Sequence, residues 1–189
     1  MIEFGTASGK ILAGNLLFAA CCIVYLIWWS IAFRPGYSAP MTPKVALFLV
    51  TAALGIAGLV MIIRGCVLAE SPVRYIHIMA AGAALYIALL LVTNLLMHRQ
   101  VTTELLLIVF WICMEICAVA ALRGEGVFGG AAFVVLCVIV VVAAAIGMIC
   151  YLKYYDLEPM PAFYDGMVPL ILFAVVMIGI SVYQVAASR

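Results

Sequence analysis

Charge is what this chain has least of. Charged residues fill 9% of its 189 positions, where an ordinary soluble domain carries about 25%. That scarcity excludes a soluble fold. It also excludes a nucleic-acid partner, because nine basic and eight acidic residues leave a net charge of +1 with no basic cluster. Long hydrophilic stretches are missing too, so these residues leave no room for a soluble catalytic or sensory domain.

Histidine is nearly absent. His77 and His98 stand near opposite ends of one apolar run, about 30 Å apart if that run is helical. They are too distant to share a metal or to ligate one haem iron, and the sequence therefore predicts no metal and no cofactor. The seven cysteines lie mostly within apolar runs rather than in aqueous loops, which argues against a disulfide framework. Cys113 and Cys117 share a helix face, but free cysteine commonly serves as a small apolar filler.

What remains is apolar: 70% of the residues are hydrophobic. Runs of about twenty apolar residues suit helices crossing a roughly 30 Å hydrocarbon layer. The chain reads as an all-α integral membrane protein, one transmembrane domain over 1–189 with six transmembrane helices. The expected spans are 11–33, 45–63, 74–97, 104–122, 127–151 and 167–187. The first is expected to stay uncleaved, since its apolar run continues well past a short signal core. Trp28 and Trp29 suit an interfacial aromatic anchor. The proline-rich stretch 34–44 and the polar stretch 153–166 read as loops, and the three acids of the latter, Asp156, Glu158 and Asp165, as solvated. Ala53, Gly55, Ala57 and Gly58 in the second span, and Ala143 and Gly147 in the fifth, offer smooth surfaces for close helix contact.

The polar residues inside spans carry the functional reading. Glu115 lies in the middle of the run from Leu105 to Leu122, where a charged side chain costs roughly 2.5 to 3.5 kcal/mol on insertion scales. It should therefore face protein, water or a proton rather than lipid. At about 100° per residue, Glu104, Ile108, Trp111 and Ala118 share its face, with Glu104 at the mouth. Cys113 and Cys117 point elsewhere. In the third span Tyr75, Gly82, Tyr86 and Thr93 form one stripe, suited either to a polar path or to bonding between helices. Arg74 and His77 sit near its interfacial edge, and Arg99 follows it.

Offsetting the chain by 89 residues superposes similar layouts. Arg34 falls on Arg123, and Glu70, Pro72 and Tyr75 correspond to Glu158, Pro161 and Tyr164 with one residue of slippage. This pattern suits two inverted repeats of three helices, 11–97 and 104–187. Glu115 would face Leu26 in that register and so belong to one half only. Basic residues are slightly more numerous on the side of Lys10, Arg64, Arg74, Arg123 and Arg189 than on the side of Arg34, Lys44, Arg99 and Lys153. That bias puts both termini in the cytoplasm of a cell membrane, on this reading a bacterial inner membrane.

Three functions remain open. The first is a proton- or cation-coupled transporter or channel-like protein, using Glu115, Glu104 and Trp111 with the stripe Tyr75, Tyr86 and Thr93 to pass a small solute or ion. The second is a non-catalytic accessory protein whose Glu115 bonds a partner helix, a homodimer included. The third is a lipid- or quinone-acting enzyme using Arg74, His77, His98 and Arg99. No nucleophile, base and anion-binding set supports the enzyme, so the sequence favours a protein without catalytic activity.

Overall fold

The computed structural model describes residues 5–37, 40–69, 72–96 and 103–188. Among them the chain forms six long helices and no strand: α1 Ala7–Ala32, α2 Met41–Leu68, α3 Pro72–Leu91, α4 Thr103–Gly124, α5 Gly130–Tyr154 and α6 Pro159–Ala187. A single π-helical turn, Val92–Leu96, continues α3. All six helices are long and apolar enough to cross a membrane, and residues such as Ile56, Val67 and Ile76 turn bare apolar side chains outward. Lipid tails suit such a surface, and helices satisfy the backbone hydrogen bonds that lipid cannot.

Several helix ends differ from the expected spans. α2 starts at Met41, inside the stretch read as a loop, and α6 starts at Pro159 rather than Met167. Pro43, Pro159 and Pro161 all fall in first turns. The first-turn N–H groups have no partner inside a helix, so a proline there removes nothing. Asp165 consequently sits in a helix. Only Pro169 lies in a helix interior, where it removes one backbone bond. At the other end of the range, α5 begins at Gly130 rather than Val127 because the preceding residues close a turn. Gly126 adopts φ 74° and the Val127 N–H donates to the Leu122 carbonyl at 2.9 Å, a helix-terminating geometry that suits glycine.

α1 and α2 pack with their backbones close together. A Cβ on Gly58 would lie 2.8 Å from Phe18 Cδ2 and 3.1 Å from the Gly14 carbonyl, and one on Gly65 would lie 2.6 Å from Ile11 Cγ1. Of the four small residues expected to form this contact, Gly55 and Gly58 face α1, while Ala53 and Ala57 are exposed. The Ala143/Gly147 notch of α5 receives the Phe173 ring of α6. Trp29 closes the far end of α1 on α6 by donating from Nε1 to the Phe163 carbonyl at 3.1 Å, and Trp28 packs with Tyr25, Phe33 and Phe48.

α4 is the central helix. It touches α1, α2, α3 and α5, and an aromatic pair joins it to α6. Burial covers 67% of its apolar window, against 11% for α3, which packs against α4 and otherwise lies at the periphery. The two halves of the chain are packed differently: α5 lies along α6, and α2 has no comparable contact with α3.

Candidate functional site

The most enclosed side chains of this bundle include three polar ones. Asn15 on α1, Glu115 on α4 and Gln184 on α6 are each 0% exposed. Both carboxyl oxygens of Glu115 and both amide atoms of Asn15 lack a hydrogen-bond partner. The Gln184 amide nitrogen donates to the Ser8 carbonyl at 2.7 Å and to Ser8 Oγ at 2.8 Å, leaving its Oε1 unbonded. Trp111 Nε1 is a further buried polar atom without a partner. Buried polar groups are almost always bonded, and leaving one unbonded typically costs about 1–3 kcal/mol, more for a charged group. Asn15, Glu115, Gln184 and Trp111 therefore need a physical reason.

Helical geometry sets the depths of these residues in the bundle. Ser8, Asn15 and Cys22 recur every seven residues along α1, which keeps them on one stripe with a drift of about 20° per step. The lower end of that stripe is fixed against α6 by the Ser8–Gln184 bonds. Cys22, toward its upper end, lies within electrostatic reach of Glu115 on α4. Asn15 stands between them. Glu115 lies nine residues before the end of α4, and Asn15 eight residues after the start of α1. Odd- and even-numbered helices run in opposite directions, so the two residues share a depth of about 12–13 Å from the end of the bundle where α1 begins. Cys66, near the end of α2, also lies within electrostatic reach of Glu115. The carboxyl thus falls between the depths of the two thiols.

On α6 the stripe Phe173, Met177, Ile180 and Gln184 completes the seam. Trp111, one turn before Glu115 on the same face of α4, stacks on Phe173 with ring centroids 4.0 Å apart.

The expected path against α3 is not assembled. α3 meets α4 through Gly82, whose Cβ position is filled by Cys113 Sγ, and Cys113 lies roughly 160° around α4 from Glu115 at 100° per residue. The stripe of α3 consequently approaches the face of α4 opposite the carboxyl. Thr93 is buried in the π-helical turn and donates to the Leu89 and Leu90 carbonyls at 2.8 and 3.2 Å, which satisfies its hydroxyl within its own helix. Tyr75 and Tyr86 are half-buried against the core.

His77 is exposed. Glu104 lies in the first turn of α4 and Arg74 in that of α3, but their side chains lie outside the described residues, as do His98 and Arg99 altogether. Of the interfacial cluster considered for lipid or quinone chemistry, only the His77 side chain lies among those described. Nor do three metal-ligating side chains come together there, and Cys113 and Cys117 stand as free thiols.

Sequence reasoning missed Asn15 and Gln184 as members of the site. A signal existed for each, because an amide inside an apolar run is anomalous for the same reason as Glu115. The seven-residue recurrence of Ser8, Asn15 and Cys22 could have linked them. Comparison with protein-family models finds no match for this chain, and neither curated proteins nor solved structures match it.

Proposed function

We propose that this chain is a small proton- or cation-coupled membrane transporter in which Glu115 is the exchangeable site. One observation carries the reading: a fully enclosed carboxyl group on the central helix, with neither oxygen bonded, at the depth of an equally enclosed and unbonded amide, Asn15. An uncompensated carboxylate in such a place costs several kcal/mol. It must therefore carry a proton or hold a cation, and Asn15 can coordinate either form, since its amide donates and accepts. Exchange of that proton or cation is the elementary step of coupling. The three-plus-three inverted layout enters this proposal as a scaffold, with Glu115 the specialisation of the second half. We place both termini on the cytoplasmic side of a cell membrane, following the basic residues.

The test is flux in proteoliposomes loaded with a pH-sensitive dye, with an imposed membrane potential and proton, sodium or potassium gradients. Protein-dependent flux that Glu115→Gln abolishes, with the variant still folded and inserted, supports the assignment. Flux equal to the parent's in Glu115→Gln, or a parent that moves none of the three ions under any gradient, overturns it.

A second reading, an accessory protein that docks on another membrane protein or on a copy of itself, is favoured by α3. Its window is the least buried of the six. Glu115 is enclosed by its own chain and is not the docking group, contrary to the form in which the sequence suggested this role. A fixed partner, or a defined dimer in mild detergent, that is lost when bulky residues on the outer face of α3 are replaced, would favour this reading.

A further inference from the structure

We propose that the seam between α1, α4 and α6 binds a file of water molecules that carries protons between Glu115 and the end of the bundle where α1 begins. This inference rests on the reading of Glu115 as a proton site and adds the route and the side from which the proton comes.

Gln184 lies three residues before the end of α6, Asn15 eight residues into α1, Glu115 nine and Trp111 thirteen residues before the end of α4. At 1.5 Å per residue these positions stand about 4, 12, 13 and 19 Å above the same end of the bundle. The polar atoms without partners therefore stand at successive depths, like the rungs of a ladder. A step of about 8 Å between Gln184 and the Asn15/Glu115 level is bridged by two waters, given oxygen-to-oxygen separations of about 2.8 Å.

Each proposed water has the protein partners that buried water requires, commonly two to four bonds in all. Gln184 Oε1 accepts at the lower end, beside the Ser8 hydroxyl. Asn15 both donates and accepts in the middle, and Glu115 ends the file. Ser8 and Gln184 are held by their mutual bonds, so the first acceptor is fixed in place. On α6, Ile180 stands about 10 Å up, within the step between Gln184 and Glu115, and Met177 about 15 Å up, just above the Glu115 level; both are fully enclosed. Methionine is the adaptable member of that pair and gives way to water at the Glu115 end of the file.

The file ends above Glu115. There the Trp111 ring lies flat on Phe173, both buried, and Phe173 in turn fills the notch at Gly147. Three packed elements close the seam in that direction, whereas Gln184 and Ser8 lie within one turn of the helix ends in the other. Proton movement needs no redox partner: each water accepts a proton from one neighbour and passes one on, and the Glu115 carboxylate becomes the carboxylic acid. Among the described residues, the thiols of Cys22 on α1 and Cys66 on α2 lie in electrostatic reach of Glu115. No donor among the described residues bonds the carboxyl and competes for it.

The test follows hydrogen–deuterium exchange at the Glu115 carboxyl by infrared spectroscopy of the protein in liposomes, with the protonated-carboxyl band assigned by its loss in Glu115→Gln. Exchange should slow roughly tenfold or more in Asn15→Leu and in Gln184→Leu, as for a barrier raised by one proton-transfer step, and should stay near the parent's in Asn15→Ser. A Glu115 band that exchanges as fast in both leucine variants as in the parent overturns the water file while leaving Glu115 a proton site. A band that survives in Glu115→Gln overturns the proton-site reading itself. Water-edited solid-state NMR on the unaltered protein gives a second measure. Magnetisation from water should reach the Asn15 and Gln184 side-chain amides well before it reaches Val140 and Val119, and equal delay for all four overturns the file.

Discussion

Trp111 of α4 lies flat on Phe173 of α6, with ring centroids 4.0 Å apart and planes 13° from parallel, one turn from Glu115. The stack ties the central helix to α6 just above the unbonded carboxyl. Removing one ring takes away both the stacking partner and the plug over the seam. Phe173→Ala should destabilise the bundle by about 3–5 kcal/mol, the range for large aromatic truncations in packed cores, and Phe173→Leu by clearly less. Denaturant titration in micelles, followed by Trp fluorescence, measures both. Equal stability for parent and Phe173→Ala would show that the stack is not a packing element.

The α1–α2 crossing makes a sharper test, because adjacent positions on α2 differ in what they face. Gly58 lies under Phe18 and the Gly14 carbonyl, while Ala57 points outward. Gly58→Val should lose about 1–3 kcal/mol through overpacking. Ala57→Val should stay within about 0.5 kcal/mol of the parent, as surface substitutions do. A pair of variants with equal stabilities would contradict the close approach of the two backbones.

The number and kind of the helices were legible because a membrane admits few alternatives: an apolar run of some twenty residues without charge has to be helical to satisfy its backbone. Helix ends were harder to read. Prolines at 43, 159 and 161 resemble loop residues in sequence and become ordinary first-turn residues once the chain enters a helix there. Glu115 stood out because its type is anomalous in that place. Its neighbour could not be read in the same way. Periodicity states which residues of α4 share the Glu115 face, but not which helix comes to that face; the sequence reading chose α3 where the fold brings thiols of α1 and α2 into reach of Glu115 and a ring of α6 onto Trp111. That choice depends on how all six helices pack, which a single-helix pattern does not contain.

Gly82 and Cys113 test the side of α4 that meets α3. A Cβ on Gly82 would run into the Cys113 thiol, so Gly82→Ala should push α3 away from the central helix and cost roughly 1–3 kcal/mol. Cys113→Ser keeps the side-chain atom and should not relieve the clash, whereas Cys113→Ala makes room. The double variant Gly82→Ala/Cys113→Ala should therefore recover at least about 0.5 kcal/mol beyond additivity, the coupling expected of residues in direct contact. Thermal unfolding of the four proteins completes the cycle. Strict additivity would mean that α3 does not rest on α4 at this point.

Glu115 and Asn15 allow stability to be separated from activity. Both side chains are fully enclosed, and neither has a hydrogen bond within the protein, so each is a polar group that packing alone would replace with a hydrocarbon. Leucine has a similar size to either and no polar atom to leave unbonded. Glu115→Leu should be no less stable than the parent and gain up to about 1–3 kcal/mol, the penalty lifted when a buried group without a partner is removed. Asn15→Leu should change in the same direction by a smaller amount, since an amide is less demanding than a carboxyl group. If these groups serve ion exchange, both gains come with a loss of flux in proteoliposomes, the usual relation between a functional site and stability. Unfolding and flux measured on the same preparations decide the matter. A Glu115→Leu protein that unfolds more readily than the parent would mean that the carboxyl holds the bundle together, and its role would then be structural.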